Sequence, residues 1–200
     1  MRTDWMKRLS VPLLALGVLA LWACADAGAP ERLVAPRAAF SSGGVPGRMK
    51  RVAGSLPADM PREASEVIGP SGGHLAAAGY EILVPGGAVR DATLFTLRAV
   101  DDGTLSVQLT ATRRDRDGTL LDVGPLGFRK KVTLVMSYAG LAEQVDPAAL
   151  AVVWVHADGV LVRLPSSYVD PSRRIVAAQL EHFSGYAVAV PDRSSTTDSY

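Results

Sequence analysis

The sequence predicts an all-β fold, an antiparallel β-sandwich with one short helical turn. Three observations lead there. Apolar residues recur at every second position in several short runs, turn-forming residues separate those runs, and helical periodicity is nearly absent. Many short strands with frequent turns form the pattern of two packed sheets.

Taken in order, the first run is Tyr80, Ile82 and Val84, with Glu81 on the opposite side. The next is Phe95, Leu97 and Ala99 against Thr96 and Arg98, followed by Val132, Leu134, Met136 and Tyr138 against Thr133 and Ser137. Asp102-Gly103, Asp117-Gly118 and Asp158-Gly159 stand between strand-like runs and predict tight hairpins with both central residues at positive φ. Asp146-Pro147-Ala148-Ala149-Leu150 predicts the helical turn, with Asp146 as N-cap and Pro147 in the first helical position. Trp154, in Val152-Val153-Trp154-Val155, is expected in the core. Val176 to Val190 reads as one closing strand, which would put His182 and Ser184 on one face about 6.6 Å apart.

Composition excludes several classes. Of 200 residues, 48% are apolar and 20% charged, which rules out collagen-like, coiled-coil and wholly disordered chains. A formal charge of +1 gives no reason to expect a nucleic-acid partner. A single cysteine excludes an internal disulfide framework and any multi-cysteine metal cluster. No cofactor or metal is predicted, and the chain is read as a non-enzyme. Asp115-Arg116-Asp117-Gly118, with Asp122 beyond, lacks the oxygen ligands of a calcium loop and reads as a hairpin. Gly72-Gly73 and Gly86-Gly87 read as turns, since neither fits a phosphate-binding glycine motif. Arg129-Lys130-Lys131 reads as a solvated face or a guard on an edge strand.

The chain divides into four parts. Residues 1–23 read as a lipoprotein signal peptide, with Arg2, Lys7 and Arg8 ahead of an apolar run from Val11 to Leu21. That run is shorter than the roughly 20 residues that span a hydrocarbon core. Leu21-Trp22-Ala23-Cys24 resembles the bacterial lipobox, in which the cysteine is lipidated and becomes the new N-terminus. The membrane lipid carried on Cys24 is thus an expected partner. The resemblance places the protein in a bacterial cell envelope, and Ala25, two places into the mature chain, favours the outer over the inner membrane. Residues 24–62 read as the lipidated N-terminus and a flexible linker, broken by Pro30, Pro36, Pro46, Pro57 and Pro61. Residues 63–191 form the expected sandwich, with 11 basic and 15 acidic residues over 63–192, and residues 192–200 form a polar tail.

Within the body, Val67-Ile68-Gly69-Pro70-Ser71-Gly72-Gly73-His74-Leu75 is followed by Tyr80-Glu81-Ile82-Leu83-Val84-Pro85-Gly86-Gly87-Ala88-Val89. Gly124-Pro125-Leu126-Gly127-Phe128, Val132-Thr133-Leu134 and His182-Phe183-Ser184-Gly185-Tyr186 come later in the same order. Together they resemble a ZU5 domain over roughly residues 64–190. The resemblance implies a β-sandwich with a protein-interaction or structural role, toward an unknown protein or a cell-wall component. Some ZU5-containing scaffolds also cleave themselves at a His-Phe-Ser sequence. Carried over, His182 is the base and Ser184 the nucleophile on the Phe183 carbonyl, giving an ester that water then hydrolyses. This self-processing is the alternative reading. The expected role of His182 and Ser184 is structural, within a closing strand.

Overall fold

A computed structural model describes residues 48–192. Within them thirteen strands build two antiparallel sheets, with a single 3-10 turn at Pro147–Ala149. The strands are β1 (Met49–Arg51), β2 (Glu63–Ile68), β3 (Gly73–Ala77), β4 (Tyr80–Val84), β5 (Thr93–Val100), β6 (Ser106–Arg114) and β7 (Leu120–Asp122). They continue with β8 (Val132–Ser137), β9 (Ala151–Val155), β10 (Leu161–Arg163), β11 (Tyr168–Asp170), β12 (Ile175–Leu180) and β13 (Gly185–Pro191). The eight-stranded sheet runs β10-β9-β13-β6-β5-β2, with β1 also on β13 and β7 also on β6. The five-stranded sheet runs β11-β12-β8-β4-β3. The all-β sandwich is therefore the fold of this body.

The period-two runs sort as pleating requires. Phe95, Leu97 and Ala99 of β5 face inward, and Val132, Leu134 and Met136 of β8 meet them from the other sheet. Asp146 caps the 3-10 turn through an Oδ1 that accepts the Ala148 N–H at 2.9 Å. A second, smaller cluster of Val153, Ala187 and Ala189 forms with Met49, Val155 and Leu161 packed against it.

Three expectations change. First, Met49–Arg51 lies in the stretch that composition assigns to the linker, yet it forms a strand paired with β13, Lys50 opposite Val190. Beyond it Val52 is buried, and Ala53 and Gly54 bridge to Thr104 and Leu141. The body thus includes residues 49–54, ahead of residue 63. Second, the Asp-Gly turns are not of the doubly positive-φ type. Gly103, Gly118 and Gly159 take φ of 75°, 87° and 83°, but among the described non-glycine residues positive φ is confined to Ala78 and Arg174. Each aspartate instead accepts the N–H two residues on, that of Thr104, Thr119 or Val160. At Asp117, Gly118 N–H donates to the Asp115 carbonyl and Asp115 N–H to the Thr119 carbonyl. That is a type I turn closed by a left-handed glycine, the three-residue hairpin. Third, Lys131 leads into β8, which lies between β12 and β4, so the basic run guards no edge. Lys131 pairs with Glu181 at 2.9 Å, and Lys130 donates to the Gly86 carbonyl.

The two Gly-Gly turns meet each other. Gly87 N–H donates to the Pro70 carbonyl at 2.7 Å, and a Cβ on Gly72 would run into the Val84 carbonyl. Gly72 also holds a φ of 81°, so both space and backbone require glycine there.

The register defines two poles. β13 starts at Gly185 opposite Gln108 and runs away from the β6–β7 hairpin to Pro191 beside Met49. Asp192 N–H donates to the Arg48 carbonyl at 2.7 Å, so both ends of the described chain leave from one pole. The opposite pole carries the β6–β7 hairpin and the segment joining β12 to β13.

Candidate functional site

His182, Phe183 and Ser184 do not sit in a continuous strand. β12 ends at Leu180 in the five-stranded sheet, and β13 begins at Gly185 in the eight-stranded one. The residues between them carry the chain across the end of the sandwich. The single strand expected over Val176 to Val190 is therefore broken between Leu180 and Gly185.

The crossing is pinned at each step. The Glu181 carbonyl accepts Phe128 N–H at 2.9 Å, and Phe183 N–H donates to the Gly124 carbonyl at 2.9 Å. The Ser184 carbonyl accepts Leu109 N–H at 3.0 Å. Phe183 turns inward, where its ring meets Phe95 edge-on at 5.4 Å and Phe128 at 4.7 Å between centroids. Such edge contacts each add about 0.5–1.5 kcal/mol beyond the area they bury.

His182 and Ser184 instead gather around Trp154. The indole Nε1–H donates to Ser184 Oγ at 3.0 Å. The indole ring lies 3.6 Å from the His156 ring and 4.6 Å from the His182 ring, the latter edge-on. Tyr186 Oη donates to the His182 carbonyl at 2.7 Å and lies 3.4 Å from its Nδ1. Burial pushes the Tyr186 phenol pKa well above its ordinary value, so the phenol stays a neutral donor. Trp154 is half-buried at the margin of the core, its polar edge spent on Ser184. His156 comes two residues after Trp154, a spacing that places both on one side of an extended chain. That His182 arrives beside them depends on the sheet crossing, which no local pattern signals.

Chemically, the arrangement binds the crossing and does not assemble a nucleophile with its base. Among the described residues no hydrogen bond joins His182 to Ser184, and the serine oxygen is already an acceptor for the indole. Neither Phe183 nor Ser184 is among the non-glycine residues at positive φ. The chain is accordingly expected to remain whole. Intact mass spectrometry of the denatured protein should show one species, unchanged in Ser184→Ala. A 17-residue fragment starting at Ser184, lost in Ser184→Ala, would establish self-processing instead.

The acidic residues with calcium-like spacing serve turns. Asp115 accepts Arg116 N–H, Asp117 accepts Thr119 N–H, and Asp122 accepts Gly124 N–H. His74 stands apart from the other two histidines, exposed on β3 opposite Leu83. Cys24 lies outside the described residues. No protein-family model matches the sequence, and no curated protein matches it.

Proposed function

We propose that the chain is a bacterial envelope lipoprotein, anchored through Cys24, that displays its sandwich as a ZU5-like protein-interaction or structural module. The observation that carries this reading is the position of the chain's one cysteine, directly after an apolar run and a basic start. Two or more acyl chains on that cysteine make attachment stable, at about 0.8 kcal/mol per buried methylene. Arg48 and Asp192 lie side by side, so the segment leading from the anchor enters the body at one pole. On this reading the other pole is the one that meets a partner. The module binds and does not turn over a substrate, and the outer membrane is the favoured site.

A palmitate analogue fed to bacteria expressing the protein tests the anchor. The wild type is expected to take up the label and sediment with membranes, and Cys24→Ala to lose both properties. Label retained in Cys24→Ala would remove Cys24 as the lipid site. Crosslinking in cells followed by mass spectrometry separates the two roles of the module, since a purely structural domain yields no specific partner.

A further inference from the structure

An open groove of about 880 Å³ lies on the outward face of the eight-stranded sheet, at the pole away from the chain ends. The register accounts for it. Val67 pairs with Leu94, Leu94 with Thr112, and Arg114 with Leu120, so all five share the face opposite Phe95 and Ala111. This face should be polar. Instead Val67 is 63% exposed, Leu94 40% and Leu120 61%, and all three line the groove. Three large aliphatic side chains left in water around one concavity mark a surface with a partner.

The charges on the rim select the partner. Arg113, Arg114 and Arg116 stand against Asp91 and Asp115. Asp91 is taken by Arg113 at 2.9 Å, and Asp115 accepts the Arg116 N–H. Arg114 donates to the Gly118 carbonyl alone, and no ion pair involves the Arg114 or Arg116 guanidinium among the described residues. Guanidinium forks of this kind receive carboxylates in two-pronged hydrogen bonds. Aromatic rings, the usual platform for a sugar, are absent from the groove lining, which consists of aliphatic, threonine, arginine and aspartate side chains.

Building on the reading of the chain as an interaction module, we propose that this groove receives a short segment of a partner protein, an aliphatic side chain flanked by carboxylates. The aliphatic group covers Val67, Leu94 and Leu120, and the carboxylates meet Arg114 and Arg116.

A random peptide library displayed on phage, panned against the full chain in non-ionic detergent, tests it. Enriched peptides are expected to share an aliphatic residue beside Asp or Glu. By fluorescence anisotropy the enriched peptide should bind the wild type and Cys24→Ala equally, so the outcome does not depend on the anchor. Leu120→Asp and the Arg114→Glu, Arg116→Glu double variant should each weaken it at least about tenfold, as loss of an interface anchor does. These side chains are exposed, and an unchanged melting temperature will show that the variants fold. Enrichment of nothing, of basic peptides, or of peptides indifferent to Leu120→Asp would overturn the proposal. So would binding to phosphatidylglycerol vesicles that Leu120→Asp abolishes, since the groove would then be a membrane contact.

Discussion

Phe183→Ala is expected to destabilise the body by about 3–5 kcal/mol, as truncation of a fully packed core phenylalanine does. Phe183 is 3% exposed and closes a three-ring cluster with Phe95 and Phe128. The cavity has little means of collapsing. Phe95 is fixed in the middle of β5, and the backbone on both sides of residue 183 is held by bonds to Gly124 and Leu109. A loss of that size is a large part of the roughly 5–15 kcal/mol that keeps an ordinary domain folded. Thermal unfolding should move down by roughly 10 °C for a body of this size. Ser184→Ala removes one acceptor for Trp154 and should cost only about 1–3 kcal/mol. If Phe183→Ala left the melting temperature within a degree or two, the aromatic cluster would not be what holds the crossing.

The strands were legible where one face is buried and the other wet, because pleating then writes itself into the sequence. β5 and β8 show this residue by residue. The same logic misled at the closing segment for a definite reason. Val176, Ala178 and Leu180 of β12 point into the core, and so do Tyr186 and Val188 of β13. The number of residues that cross between the sheets keeps these two sets in phase, so two strands in different sheets read as one. The hairpins were legible as turns from Asp-Gly, but their type was not. It depends on where the aspartate side chain finds its N–H, and a carboxylate that accepts from two residues on needs no left-handed backbone of its own.

The groove was only faintly written. Leu94 stands between Thr93 and Phe95 and breaks the alternation of β5, an apolar residue on the face that should be wet. Leu120 joins it through a hairpin pairing with Arg114, and Val67 through pairing with Leu94. Each residue alone is an unremarkable exposed aliphatic. Their convergence is a property of register, which a sequence pattern does not reveal. The cluster around Trp154 was hidden for the same reason, since His156 and His182 arrive there from different strands' ends.

Removal of residues 1–47 is expected to leave folding intact, whereas removal of 1–62 should abolish it. Composition places both cuts inside one linker, because Pro57 and Pro61 and the small residues around them interrupt any local periodicity. The tertiary structure separates them. β1 supplies three residue pairs to the C-terminal end of β13, and Met49 packs on the Val153–Ala187–Ala189 cluster. Val52, 1% exposed, sits in the main core, with its N–H donating to the Val188 carbonyl and its own carbonyl accepting Leu105 N–H. Ser55 N–H reaches the Gly140 carbonyl so closely that a Cβ on Gly140 would strike the Ser55 backbone. Burying Val52 alone contributes about 1.5–3 kcal/mol. Each buried main-chain group left without a partner adds about 1–3 kcal/mol of cost. Two such groups lose their partners in the longer truncation, the Val188 carbonyl and the Leu105 N–H, and the half-buried Gly140 carbonyl loses its own. Their sum reaches the net stability of a typical domain. The chain beginning at residue 48 should melt cooperatively and within a few degrees of the full-length protein. The chain beginning at residue 63 should show no cooperative transition in circular dichroism and should be degraded by limited proteolysis. A cooperative transition in that shorter chain would return residues 48–62 to the status of a tether that happens to lie against the sheet.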